Sequence, residues 1–169
     1  PFGEWIIKNY APIKKYVGFH FEEYDKNIFT PVIRSAIREA KTRNDGHYTV
    51  YLPAYDDKKL VSLLMKLPKA KWHVFSKHTR TAYHVGRVSV YPVSGIDFIE
   101  SVVSSKGVLC GAGFETPAEV LHMHKKLLVV PMKSQYEQQC NAAALKKLGV
   151  PVIKKVKKKS LKKIERWME

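Results

Sequence analysis

Glycines, carboxylates and amides occur in this sequence where apolar strands are expected to end. Gly111 and Gly113 follow one apolar run, and Glu119 comes six residues after Gly113. Glycine lets backbone N–H groups approach an anion closely, and a helix that begins there adds its partial positive charge. Glu137 and Gln138 follow a second apolar run, where carboxylate and amide groups suit the hydroxyls of a sugar. The pattern predicts a site for a phosphate-bearing ligand.

Each of these residues also has a purely structural interpretation. Thr116 at the N-cap, Pro117 at the first helical position and Glu119 two residues further on fit a capping box. In that arrangement the Glu119 carboxylate accepts a hydrogen bond from a backbone N–H and binds no ligand. The glycines can form an ordinary tight turn, and Glu137 with Gln138 can be the polar first turn of a helix. The sequence alone leaves both interpretations open.

Other chemistry is disfavoured by the spacing of the residues. The dinucleotide fingerprint requires a third glycine after Gly113 and an acidic residue at the tip of the next strand, and this chain has neither. His122 and His124 are two residues apart on a predicted helix, so they face different directions and make a poor metal pair. No Ser/His/Asp or Cys/His arrangement can be argued. His78, with Lys77 and Arg80, is the one basic group that we consider for a phosphate contact. We expect no metal and no cofactor.

Strand and helix patterns alternate from residue 48 onward. Apolar runs predict strands at 16–21, 48–52, 72–75, 88–91, 108–110 and 127–130. Helical patterns with start and stop residues predict helices at 31–41, 56–67, 95–104, 117–124 and 135–148. Several of the strands are continuous apolar runs, which is typical of parallel strands buried on both faces. We therefore predict an α/β fold, a Rossmann-like parallel sheet with helices on both faces.

The length and composition suit one domain with its own core. The chain has 169 residues, of which 45% are hydrophobic and 11% aromatic, and this excludes disorder as the default. No apolar stretch reaches the roughly 18 residues that span a bilayer, and we recognise no secretory h-region in the sequence. Cys110 and Cys140 lack metal-ligand spacing and are interpreted as reduced thiols, so we expect a cytoplasmic protein.

The domain boundaries follow from the change in patterning along the chain. We predict a lead-in or linker at 1–22 and a Rossmann-like domain at 23–169, with a basic tail at 154–169. Because the sequence opens with Pro1 rather than Met, we expect a fragment of a longer protein.

The chain is strongly basic, and its positive charge is unevenly distributed along the sequence. Thirty Lys and Arg residues against fifteen Asp and Glu give a net charge of +15. Residues 146–169 hold ten Lys or Arg and two Glu, which is about half of the excess. This segment is either a solvated tail, in which Ser160 caps a short helix, or a surface for an acidic membrane or nucleic acid. No aromatic residues interleave with the lysines, which disfavours single-strand nucleic-acid binding. A membrane partner implies a peripheral protein at the inner membrane face.

Taken as one unit, residues 111–141 resemble the donor-binding signature of GT-B glycosyltransferases. Residues 113–119, Gly-Phe-Glu-Thr-Pro-Ala-Glu, match G-x-x-(S/T)-x-x-E in register. Residues 130–131 match the family's V-P, and residues 137–142 match its E-Q-x-x-N-A. The resemblance is to the plant UDP-glycosyltransferase signature and to the bacterial cell-wall N-acetylglucosaminyltransferase family. The α/β pattern of 48–150 agrees with the carboxyl-terminal Rossmann-like domain of such enzymes.

The resemblance implies a role for individual residues. Glu119 would hold the ribose of a nucleotide, and Glu137 and Gln138 would contact the donor sugar. The loop at Pro92 and Val93 would lie beside the base. The residues expected at the diphosphate are Gly111, Ala112, Gly113, Phe114 and Thr116.

Two departures from the family pattern concern the phosphates. Gly111 stands where plant-type enzymes carry a histidine, and the first loop, residues 53–56, lacks the glycines of the cell-wall enzyme. Both departures shift the expected phosphate contacts to backbone amides, with help from Lys77 or His78.

A GT-B enzyme has two domains, and its acceptor half with the usual general base is the amino-terminal one. The resemblance therefore implies that the catalytic residues lie outside this chain, which would bind a nucleotide sugar, most simply a UDP-sugar, without transferring its hexosyl group. Donor chemistry in the family is metal-independent, with amides and a helix dipole stabilising the departing diphosphate. Two alternatives remain. One is a UDP-sugar 2-epimerase-like domain of the same architecture, and the other is a non-catalytic basic module that binds nucleic acid or an acidic membrane.

Overall fold

The computed structural model describes Trp5, Asn9 and residues 15–169, so most of the predicted lead-in segment lies outside it. The described chain separates into two compact units, one that ends at Val32 and one that spans Ile33–Glu169. In the first unit, β1 (Gly18–Phe19) pairs in parallel with β2 (Ile28–Phe29). Only two residues of the strand predicted at 16–21 are therefore in a strand, and β2 was not predicted.

The second unit is built on a six-stranded sheet. Its strands are β3 (His47–Tyr51), β4 (Lys71–Ser76), β5 (Tyr83–Val85), β6 (Val88–Pro92), β7 (Gly107–Gly111) and β8 (Lys126–Val130). They lie in the order β5-β6-β4-β3-β7-β8, and every pairing is parallel except that of β5 with β6. Counted along the chain, the five parallel strands have the order 3-2-1-4-5. In such sheets the order reverses between the first and fourth strands, and ligands bind at their carboxyl ends.

Six helices accompany the second unit. They are α1 (Ser35–Arg38), α2 (Asp57–Leu64), α3 (Gly95–Ser104), α4 (Glu115–His122), α5 (Tyr136–Lys147) and α6 (Leu161–Met168). The α3 bounds agree with the prediction, whereas α1 is one turn long instead of the predicted 31–41. Ile37 is the only buried residue of α1, and a single apolar anchor cannot hold a longer amphipathic helix.

The sheet is covered on both faces, as predicted. Val50 packs in a core with Leu60 and Leu64 of α2 and with Ile164 of α6. Its neighbour Thr49 points the other way and hydrogen-bonds Ser101 of α3, because successive residues of a strand face opposite sides. Between β4 and β6 the chain forms the short strand β5 instead of a covering helix.

The basic tail forms a docked helix. In α6, Ile164 and Trp167 are buried, so the apolar face of the helix packs on the core, and Lys162 and Lys163 are exposed. Ser160 is not the side-chain cap of α6, because its hydroxyl donates to the Lys157 carbonyl and accepts from the Lys157 N–H. These bonds close a 3₁₀ turn, Lys158–Ser160, that leads into the helix. Among the helices of the described residues, none has the length and apolarity to cross a membrane.

Candidate functional site

The predicted glycine loop lies at the carboxyl end of β7, beside the point where the strand order reverses. β7 ends at Gly111 and α4 begins at Glu115. Ala112 is fully buried, and its carbonyl accepts a hydrogen bond of 3.2 Å from Nδ2 of Asn141 on α5. A Cβ added to Gly113 would meet no atom within 4 Å, so open space lies beside the backbone there. The loop is fixed on its inner side and accessible on its outer side.

The capping-box interpretation of residues 116–119 is wrong. α4 begins at Glu115, so Thr116 lies inside the first turn and Glu119 in the second. The Glu119 side chain therefore does not reach back to the start of the helix. Thr116, Pro117 and Glu119, which the sequence pattern indicates as a helix start, all lie inside α4, because the helix begins at Glu115 and not at Pro117.

Glu119 instead forms an ion pair with Arg34, 85 residues away. The Glu119 side chain is 5% exposed and the Arg34 side chain is 50% exposed. Arg34 Nε donates to Oε1 at 2.5 Å and Nη2 donates to Oε2 at 2.7 Å, so both carboxylate oxygens are engaged. The hydrogen bond with Glu119 raises the pKa of Arg34 above its already high ordinary value. No sequence pattern indicated Arg34, because the pairing depends on the tertiary fold.

Glu137 and Gln138 lie in the first turn of α5, after β8. Gln138 Oε1 accepts from the Met132 backbone N–H at 2.9 Å, and a Cβ on Gly111 would lie 3.6 Å from the same oxygen. The structure thus brings Gln138 next to the end of β7. Glu137 is exposed and its Oε1 accepts from Asn141 Nδ2 at 3.4 Å.

Pro92 and Val93 lie at the same edge of the sheet but further away. Pro92 ends β6, and β4 and β3 stand between β6 and β7. Three strand spacings separate this loop from Gly111 by about 14 Å. A ligand that touches both ends must therefore be elongated and lie across the carboxyl ends of the strands. Lys77 and His78 follow β4 at this edge, and the His78 N–H donates to Ser76 Oγ at 3.0 Å.

Away from the glycine loop, a cavity of about 610 Å³ lies between α3 and the strands β3, β4 and β6, and its lining includes His47 and His73. His47 and His73 stack with ring centroids 3.8 Å apart, and Ser101 Oγ lies 3.3 Å from His47 Nε2 and 3.4 Å from His73 Nδ1. Burial, together with the neighbouring His47 and His84, lowers the pKa of His73 to about 4. Burial likewise lowers the pKa of His47. Within the described residues, no group of three His, Cys, Asp or Glu side chains is placed to hold a metal ion.

The family of the chain follows from a comparison over nearly its whole length. The sequence model of glycosyl transferase family 1 matches residues 11–169. The chain belongs to this family. None of the curated proteins compared with it matches.

Solved structures of glycosyltransferases share the fold. The chain is similar to the glycosyltransferase SnogD from Streptomyces nogalater, with 16% identity and a TM-score of 0.50 over 81% of this chain and 37% of that one. It is also similar to a glycotransferase of kitacinnamycin, with 17% identity and a TM-score of 0.50 over 76% of this chain and 37% of that one. A third is the spinosyn forosaminyltransferase SpnP, with 12% identity and a TM-score of 0.50 over 91% of this chain and 48% of that one. The chain spans less than half the length of each, and the predicted Rossmann-like fold of a GT-B domain is confirmed.

Proposed function

We propose that this chain is the carboxyl-terminal, donor-binding domain of a GT-B glycosyltransferase that transfers a hexosyl group from a nucleotide sugar, most simply a UDP-sugar, to an acceptor. The observation that carries the proposal is the buried Glu119 carboxylate, one helical turn behind the glycine loop at the carboxyl end of β7. A buried carboxylate one turn from a glycine loop with open space beside its backbone suits a nucleotide, because its ribose hydroxyls donate and its phosphates accept. Family membership and the fold support the same function.

We assign roles to the remaining residues from the family resemblance and from their positions. The backbone from Gly111 to Phe114 and the first turn of α4, with Thr116, would meet the diphosphate through N–H donors. Glu137 and Gln138, which begin α5 beside Gly111, would meet the donor sugar. The loop after β6, with Pro92 and Val93, would flank the base. The residues that activate the acceptor would come from the other half of a two-domain enzyme.

The substitution Glu119→Gln removes the charge of the carboxylate with little change in the shape of the side chain. We expect the chain to bind UDP in calorimetric titration and expect Glu119→Gln to weaken that binding about 10- to 100-fold, because a hydrogen bond to a charged partner contributes about 1.5–3 kcal/mol. Glu165→Gln on α6 is the control, since Glu165 is exposed and lies outside the site. It should change the affinity less than twofold.

Two outcomes would count against the proposal. Absence of UDP binding at millimolar ligand, together with salt-sensitive binding to nucleic acid, would favour the basic-module alternative. Equal affinity of the Glu119→Gln variant and the parent chain would remove the assigned ribose contact. A UDP-sugar 2-epimerase-like domain would bind the same nucleotide, and transfer to an acceptor by the two-domain protein separates the two activities.

The basic face is a second feature with a bearing on partners. Exposed lysines at 154, 155, 157, 158 and 159 continue into those at 162 and 163, and among the described residues no carboxylate lies within ion-pair distance of them. A cavity of about 480 Å³ is lined by Lys133, Lys154, Lys155 and Lys157. The apolar face of α6 is already buried in the core, so α6 cannot insert that face into a bilayer. The surface would therefore bind an acidic membrane through its charges alone. We propose peripheral contact with an acidic membrane as its use, alongside donor binding.

A further inference from the structure

Arg34 covers the carboxylate that the proposed function assigns to the ribose. Both oxygens of Glu119 accept from the Arg34 guanidinium, at 2.5 Å and 2.7 Å. The carboxylate is buried, whereas the guanidinium above it is half exposed. Solvent therefore reaches Glu119 through the place that Arg34 occupies. A ligand hydroxyl that approaches from solvent meets Arg34 first.

A ribose and Arg34 need the same two acceptors. Vicinal hydroxyls of a ribose present two donors to a carboxylate, as does the fork of an arginine side chain. A fully engaged carboxylate has further lone pairs, but burial leaves little room for donors from another direction. The bidentate contact of Arg34 and a bidentate contact of a ribose are thus alternatives.

The backbone of Arg34 is held while its side chain can leave. The Arg34 carbonyl accepts from the N–H groups of Ile37 and Arg38, which form the single turn of α1, and Ile37 is buried. Side-chain rotation alone can therefore uncover the carboxylate. Glu115, which is exposed at the start of α4, interacts electrostatically with Arg34 and offers the departing cation a neighbour in solvent.

We propose that Arg34 closes the ribose site in the free protein and is displaced from Glu119 when a nucleotide binds. The proposal rests on the proposed function, because it takes the hydroxyl pair of a ribose as the ligand. Arg34 lowers the affinity by the free energy that is needed to break its contact, and in return it keeps the buried charge compensated when no ligand is present.

The first test replaces the guanidinium. Arg34→Gln should bind UDP at least about fivefold more tightly than the parent chain, a coupling of ordinary size. The gain should vanish with the 2′,3′-dideoxy form of UDP, which lacks both hydroxyls. Arg38→Gln is the matched control, because Arg38 lies four residues further along the chain and, among the described residues, its ion pair is with exposed Glu39 at 3.4 Å. It should leave both affinities unchanged. Weaker binding of UDP by Arg34→Gln would overturn the proposal, since Arg34 would then belong to the bound site.

The second test uses the unaltered chain and so does not depend on the folding of a variant. The Arg34 Nε–H proton, which is held by Glu119, should exchange slowly with solvent in the free protein and rapidly once UDP is bound, as followed by ¹⁵N-edited NMR. A proton that stays protected in the UDP-bound chain would overturn the closing role and leave the proposed function intact. Absence of UDP binding by the parent chain and by both variants would overturn the proposed function and this proposal with it.

Discussion

Asn141 joins the glycine loop to α5 through one side-chain hydrogen bond. Its Nδ2 donates to the carbonyl of Ala112, and both residues are buried. Asn141→Ala leaves that carbonyl without its partner, so we expect the free energy of unfolding to fall by about 1–3 kcal/mol. Urea denaturation followed by circular dichroism measures the change.

A neighbouring amide on the same helix serves as the control for Asn141. Gln139 is exposed and its Nε2 donates to the Met132 carbonyl at 2.8 Å. Gln139→Ala should change the free energy of unfolding by less than about 0.5 kcal/mol. Equal effects of the two substitutions would show that the Ala112 contact does not hold the loop.

For single residues of the site, the sequence predicted the position after a strand but not the tertiary partner. The glycines and Glu119 stand in a short, ordered motif, so their place after a strand could be read from the chain. The partner of Glu119 could not, because Arg34 reaches it from 85 residues away. The stack of His47 on His73 likewise depends on the register of β3 against β4.

At the scale of the elements, the close packing of β7 against β8 and α6 requires a glycine. A Cβ on Gly107 would lie 2.7 Å from both the Cβ and the carbonyl oxygen of Lys126 and 3.1 Å from Trp167 Cζ2. Because backbone cannot move aside as a side chain does, Gly107→Ala should lower the free energy of unfolding by about 1–3 kcal/mol. Gly113→Ala is the matched control, with no atom within 4 Å, and should leave thermal stability nearly unchanged. Similar melting temperatures for the two variants would contradict the strand packing.

The histidines that line the cavity beside α3 should make the stability of the fold depend on pH. Burial lowers the pKa of His73 to about 4 in the folded chain, whereas a free histidine has a pKa of about 6.5. Between these values the unfolded chain binds more protons, so the stabilisation is complete above about pH 6.5 and is lost as pH falls towards 4. Because part of the ring faces the cavity, we expect a loss of about 1 kcal/mol. Denaturation midpoints across this range measure it.

Removal of the His73 imidazole should reduce the dependence of stability on pH. His73→Gln is expected to lose less stability on acidification than the parent chain, and His47 should account for part of the remaining slope because its pKa is also lowered. His122→Gln, an exposed histidine on α4, is the control and should keep the full slope. An unchanged slope in His73→Gln would contradict the assignment.

Elements with a strong pattern were predicted well, and those held by tertiary contacts were not. The apolar segments of the sequence predicted all five parallel strands, and the helix at 95–104 was predicted to the residue. β5 was missed because three residues are too few to form a recognisable pattern, and the strand is held by its pairing with β6. The start of α4 was placed two residues late because Thr116 and Pro117 imitate a cap.

For the whole molecule, the matched solved structures are more than twice as long as this chain in two cases and about twice as long in the third. A GT-B site lies in the cleft between two such domains, so we expect this chain to bind a donor and to contribute half of the active site. The net charge of +15 favours attraction of a nucleotide diphosphate to any exposed edge, which makes the position of binding more informative than its strength.

The most direct test of the account is therefore where UDP binds. Titration of the ¹⁵N-labelled chain with UDP at physiological salt, followed by NMR, should shift the amides of Gly111, Gly113 and Thr116 most strongly, together with Val93 across the carboxyl edge. These shifts should saturate together and should be reduced in Glu119→Gln. Shifts confined to the lysines of α6, or to the cavity beside His47 and His73, would contradict a donor site at the carboxyl end of β7.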